Sequence, residues 1–391
     1  MMKKTLIALA ALAATSVFAQ SSVSIVGFVD TGFKNTSGDN ALTKKSELAI
    51  NGTGTTAIHF RGVEDLGGGL KALFQAEIDW NPTQSSTLNG AAGSQYYAGS
   101  PFNGEQFLGL SGGFGSIKLG TPNAAALETN AVAQPFGTAL GGGYSSTVAR
   151  MGVNSYGINQ FVGGSTSSNR VVRHEKTARY DTPEFSGFKG SVEYAFGNNN
   201  ATTLSSNTEK YQAVGLKYAN GPLNVMFSNT KATGNNAAGS FAGVVTTSMV
   251  VPANVLLNGE TITHNFLAAN YTFGPATVYG GYTTSKNNAA SAATGGNKEN
   301  AVSYNIAGKY VISSTISLMA NYIRVNDKNQ INADANIFGL GADYRLSART
   351  ALYARYEGYK KLATNVVAGN PASGANSVNQ NVYMIGVNHS F

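Results

Sequence analysis

Four histidines, His59, His174, His264 and His389, are the side chains of this 391-residue chain best suited to proton transfer near neutral pH. A hydrolytic site would need one of them beside Asp or Ser partners, with a nucleophile in reach. No Gly-x-Ser-x-Gly segment in triad order accompanies them, and none stands in a nucleophile motif. Cysteine is absent, and no two histidines have ligand spacing, so neither thiolate chemistry nor a metal centre is expected. No cofactor motif occurs. The formal charge of +7 is spread along the chain instead of clustering on one face, which argues against nucleic acid as a partner. Enzymatic function is not expected. The charges that remain can still act on passing ions, provided the fold turns them toward water.

The elements that must position them are strands. The segment 71–80 (KALFQAEIDW) puts Ala72, Phe74, Ala76, Ile78 and Trp80 on one face and Lys71, Gln75, Glu77 and Asp79 on the other. About ten tilted residues with this dyad alternation cross a bilayer as one wall strand, apolar toward lipid and polar toward water. Similar faces recur at Val192/Tyr194/Phe196, Val214/Leu216/Tyr218, Leu223/Val225/Phe227, Leu267/Ala269/Tyr271/Phe273 and Phe338/Leu340/Ala342/Tyr344. Only 12% of residues are charged, against 47 Gly, 19 Tyr and 19 Phe, a composition suited to a wall greasy outside and wet inside. Strand-end tyrosines 180, 194, 218, 271, 310, 344 and 356 fit an interfacial girdle.

Short breaker-rich turns at 65–69, 112–115, 220–222, 273–275 and 347–349 alternate with long polar stretches at 82–103, 122–169, 198–207, 231–261, 287–300 and 363–380. The expected fold is all-β: a 16-stranded antiparallel transmembrane β-barrel with short periplasmic turns, long extracellular loops and an inward-folded third loop. Residues 1–19 read as a signal peptide. Met1-Met2-Lys3-Lys4 begins it, an apolar core follows over 5–14, and Val17-Phe18-Ala19 offers the cleavage site. The barrel domain then occupies 20–391, in the outer membrane of a Gram-negative bacterium. Nothing in the local sequence gives the terminal Phe391 a packing role, so it reads as an assembly signal.

Transport through such a barrel needs a constriction and charges that bias ions. The third connection is the one long enough to fold inward and return, and before its end it carries Glu128 and Arg150. Parity turns Arg61, Lys71, Lys118, Arg173 and Arg179 inward, with Arg61, Lys71 and Lys118 at similar height on one wall. Inward acids include Glu77, Asp79, Glu175, Asp181, Glu193, Asp343 and Glu357. Inward bases slightly outnumber them, which predicts weak anion selectivity. The alternative is a substrate-specific channel for sugars or organic acids, with Phe28, Tyr279 and Tyr353 as a lumen-facing aromatic slide.

The chain resembles the trimeric general porins of β-proteobacteria, of Neisseria and Burkholderia/Comamonas type. The likeness rests on 22–32 (SVSIVGFVDTG), 60–72 (FRGVEDLGGGLKA), 109–120 (GLSGGFGSIKLG), 179–188 (RYDTPEFSGF) and 218–222 (YANGP). That resemblance implies a homotrimer embedded among outer-membrane lipid and lipopolysaccharide. It also implies a C-terminal strand read by the barrel-assembly machinery, and small hydrophilic solutes as cargo. Two positions depart from the family pattern: Thr121 and Asn388 stand where a basic residue is common, which removes two lumen charges.

Overall fold

The structure, a computed structural model, describes residues 21–38, 44–83, 102–143, 171–197, 209–234, 259–288, 299–328, 334–364 and 376–391. The expected signal peptide, Arg150 and most of the long polar connections lie outside these residues.

The described strands are β1 (Ser22–Gly38), β2 (Lys45–Ala49), β3 (Ala57–Gly67), β4 (Leu70–Asp79), β5 (Gln106–Gly112) and β6 (Gly115–Thr121). Helix α1 (Ala125–Val132) precedes β7 (Thr177–Asp181), β8 (Phe188–Ala195), β9 (Lys210–Asn220), β10 (Leu223–Thr233) and β11 (Thr261–Phe273). Then follow β12 (Ala276–Asn287), β13 (Glu299–Val311), β14 (Ile316–Asp327), β15 (Ala335–Arg345), β16 (Thr350–Thr364) and β17 (Asn376–Ser390).

From β3 onward each strand pairs antiparallel with its sequence neighbours, and β1 pairs with both β17 and β3, so the sheet closes on itself without an edge. The seventeen segments make a 16-strand wall, because β2 and β3 share one position. β1 pairs with β3 along 22–28 and with β2 along 32–36, while residues 50–56 step off the ladder between them.

One parity runs unbroken round the wall. Val23, Ile25, Leu108, Leu119, Ile306 and Ile385 point outward and are more than half exposed, an apolar surface suited to a lipid environment. The expected tyrosines all share this outward parity, and Tyr271, Tyr310 and Tyr344, near the short turns, are about half exposed. The turns read from the breakers are present, and further short turns at 182–187 and 312–315 join β7 to β8 and β13 to β14.

Phe391 does have a local packing role, contrary to expectation. Its backbone exchanges two 3.0 Å hydrogen bonds with Gly27, extending the β1–β17 seam by one pair.

Candidate functional site

The inward face carries the third connection. From Thr121 the chain turns into the lumen, and α1 lies against β9, β10, β11 and β12. Glu193 of β8 accepts from the Ala125 amide at 2.8 Å, setting a carboxylate at the helix start, where the helix dipole favours negative charge. Thr129 Oγ donates at 2.8 Å to the Ala125 carbonyl and lies 2.8 Å from Ser228 Oγ of β10.

From the end of α1 the connection is irregular, and inward amides on β11, β13 and β14 take up its carbonyls. Asn270 Nδ2 donates to the Val132 carbonyl at 3.0 Å, Asn305 Nδ2 to Ala133 at 2.8 Å, and Asn321 Nδ2 to Gly142 at 2.6 Å. On β16, Glu357 Oε2 accepts from the Gly141 and Gly142 amides at 2.8 and 2.6 Å. Irregular backbone survives at membrane depth when protein groups satisfy it in this way. Gly339 is required here, because a β-carbon on it would lie 1.4 Å from the Gly141 carbonyl oxygen.

The far end of the described loop meets the gap between β2 and β3. Leu140 donates to the Asn51 carbonyl at 3.1 Å, and the Thr55 and Thr138 hydroxyls are 3.0 Å apart. The gap itself is organised by Asp30, fully buried on the inward face of β1. Its carboxylate accepts from Thr53 Oγ at 2.7 Å and from the Tyr353 hydroxyl at 2.6 Å. Asn388 donates to Thr53 Oγ at 3.0 Å. Tyr353 is thereby a buried wall brace, and Tyr279 stands four strands away on β12, so the expected aromatics form no continuous slide.

The eight charged residues expected to line the pore divide into two kinds. Arg179 is almost fully buried among carboxylates: Glu128 and Asp181 at 2.7 and 2.8 Å, and Glu193 at 3.5 Å. It also donates to the Asn123 carbonyl. Glu128, the loop's acid, is therefore tied to the wall. Arg173 stands outside the strands, on the returning limb of the loop, where it bridges to Asn123. It donates to Asn123 Oδ1 at 3.1 Å and to the Asn103 carbonyl at 3.2 Å, with Asp79 at 4.0 Å. Glu77 is buried too, accepting from the Glu105 amide at 2.8 Å, 3.7 Å from His59.

Arg61, Lys71 and Lys118 form the accessible group. Lys118 lies 3.6 Å from Asp181 and 5.1 Å from the centre of the Phe107 ring. Arg61 donates to Gln75 at 3.0 Å, and Gln75 donates to Glu105 at 2.8 Å. Glu105 belongs to the site although sequence reading passed it over. The three cations are staggered, not level. Ladder register sets them beside Lys71, Leu73 and Gln75 of β4, successive inward steps of about 7 Å along the strand. Further round the turn-side mouth, inward parity adds Lys189 opposite Lys217, then Lys309 and Arg345. Above these cations, toward the loop side, the inward charges at Glu77 and Asp79 are acidic.

Two of the remaining histidines are buried in the structure, and His389 is exposed with its Nδ1 2.9 Å from Thr350 Oγ. His174 is buried, stacked on Tyr211 and 3.4 Å from Glu209. His264 is buried 2.7 Å from Ser285. Among the described residues, no group of three or more His, Cys, Asp or Glu could hold a metal ion.

Comparison with known proteins bears on this geometry. The sequence model of the Gram-negative porin family matches residues 5–364. Outer membrane porin protein 32 of Delftia acidovorans is 29% identical over 406 residues, spanning 100% of both chains. Major outer membrane protein P.IB of Neisseria gonorrhoeae is 34% identical over 229 residues, 56% of this chain and 54% of that one. Among solved structures, the anion-selective porin from Comamonas acidovorans superposes with a TM-score of 0.71 at 23% identity, covering 95% of this chain and 100% of that one. The trimer form of OmpT from Vibrio cholerae gives 0.62 at 16% identity, covering 95% and 99%. At those identities the structural likeness speaks to the fold.

Proposed function

The chain belongs to the Gram-negative porin family, and from that premise we propose a pore whose accessible cations give it a mild preference for anions. It is an outer-membrane porin, a passive water-filled channel for small hydrophilic solutes and ions. Fold and family point to a channel rather than an enzyme. One observation carries the selectivity reading: Arg61 and Lys71 stand exposed on the inward wall, while Glu77, Asp181 and Glu193 are buried against protein groups and the exposed loop acid Glu128 is paired with Arg179 at 2.7 Å. Charges on low-dielectric walls focus a field into the lumen, while buried ion pairs largely cancel.

One of the solved structures named above is of an anion-selective porin, and another is of a trimer form. By analogy this chain assembles as a homotrimer among outer-membrane lipid and lipopolysaccharide. Residues 1–19 direct export and are then removed, and the barrel-assembly machinery reads the C-terminal strand. Reconstitution in a planar bilayer tests the whole reading. Stepwise closure in threes and a salt-gradient reversal potential of anionic sign are expected. A cationic reversal potential would reject the selectivity, and closure in single steps would reject the trimer.

A further inference from the structure

Two neighbouring short turns at the periplasmic mouth, 312–315 and 346–349, enclose with the wall between them a cavity of about 550 Å³. Lys309, Arg345 and Arg349 line it, together with Ser313, Thr315, Ser317, Ser347 and Thr350. Among the described residues these three cations make no ion pair. The cavity's acid, Asp343, is already engaged by Arg355 at 2.7 Å. The lining therefore carries positive charge with no competing carboxylate free to neutralise it.

The turn serines are oriented by the backbone. Ser347 Oγ accepts from the Arg349 and Thr350 amides at 3.1 and 3.0 Å. Ser313 Oγ accepts from the Thr315 and Ile316 amides at 3.3 and 3.1 Å. A hydroxyl oxygen has two lone pairs, so both acceptor positions of each serine are used; the Ser347 hydrogen is left to donate, while that of Ser313 goes to Thr315 Oγ at 3.1 Å and leaves the Thr315 hydrogen to donate in its place. Hydroxyl donors, two guanidiniums and an ammonium all favour one ligand chemistry, several acceptor oxygens sharing more than one negative charge. Phosphate meets it better than carboxylate, since its oxygens can engage a guanidinium fork while others accept from hydroxyls.

We propose that this cavity is a periplasmic-mouth binding site for phosphate-bearing solutes, separate from the Arg61–Lys118 wall. It would hold a polyanion on the side where solute leaves the channel for the periplasm. The inference goes beyond the diffusion-channel reading and depends on it only for the direction of travel.

The test is calorimetric titration of the full-length, detergent-solubilised protein with inorganic pyrophosphate, with succinate at matched ionic strength as the carboxylate arm. Saturable pyrophosphate binding, stronger than succinate binding, is expected. R345Q/R349Q should weaken it by about tenfold or more, as expected when charge-assisted contacts are lost. R61Q/K118Q should leave it within about twofold, since the two sites share no residue. The single variant R349Q, altered only at an exposed turn, supplies a several-fold loss if the double variant fails to fold. The proposal is overturned if pyrophosphate does not bind, if succinate binds as well, if R349Q binds like the parent, or if R61Q/K118Q abolishes binding. Single-channel conductance in chloride, recorded separately, distinguishes its failure from failure of the pore reading.

Discussion

The ring of Phe391 fills the space beside Gly27 where a side chain would begin: a β-carbon on Gly27 would lie 2.2 Å from Phe391 Cζ. The same two residues exchange both backbone hydrogen bonds. The last residue of the chain thus closes the barrel against its first strand, and its ring fits because the facing residue has no side chain.

Gly27→Val should therefore impair closure while leaving the terminal residue untouched. Overpacking of this kind costs about 1–3 kcal/mol. The check is heat-modifiability on gels, where the variant should lose its folded mobility at a lower temperature than the parent. If Phe391 served only as a recognition signal, Gly27→Val would melt like the parent.

Arg179→Ala should act on stability more than on selectivity. Removing this guanidinium leaves Asp181, Glu193 and Glu128 without their shared partner, two of them buried. Loss of one member of a buried ion cluster costs about 3–5 kcal/mol. Denaturant titration of the purified barrel reads it directly. An unchanged midpoint with a large shift in ion preference would mean that Arg179 acts as a pore charge.

Much of the barrel was legible because a dyad pattern has only two faces, and lipid on one of them leaves little ambiguity. The segment 71–80 shows it, with Lys71, Gln75, Glu77 and Asp79 all inward as read. Parity gives direction and says nothing of partners. It set Arg61 and Arg179 in one class, although one is exposed and the other is enclosed by carboxylates from β7, β8 and the loop, residues far apart in sequence. Asp30 was passed over because its partners Thr53 and Tyr353 lie on different strands. Asn270, Asn305 and Asn321 did leave a signal: asparagine is poorly suited to strands, yet it recurs at inward positions of neighbouring ones. Such residues stand in a wall because they hold something other than the wall.

Replacing both Arg61 and Lys71 with Gln should lower the anion preference at low salt. Both side chains are exposed, so their influence on a passing ion is Coulombic and screened. The reversal potential should move toward zero at about 0.1 M salt, where the Debye length is about 10 Å. Near 1 M, with a length of about 3 Å, parent and variant should converge. A difference that persists at high salt would point to a changed pore width instead of a changed field.

Glu357→Ala should free the described end of the third connection without opening the wall. The Gly141 and Gly142 amides both donate to one carboxylate oxygen, and hydrogen bonds to a charged acceptor contribute about 1.5–3 kcal/mol each. The Asn270 and Asn305 contacts would still hold the segment next to α1, and Asn321 would be left as a wall contact of Gly142, so the change is confined to the stretch near Gly142. Single-channel records should show greater open-channel noise and more frequent brief closures, while heat-modifiability stays close to the parent because the β15–β16 ladder is untouched. Glu357→Gln keeps an oxygen acceptor without its charge and should fall between the two. Traces from Glu357→Ala as quiet as the parent's would show that the asparagine contacts hold the loop unaided.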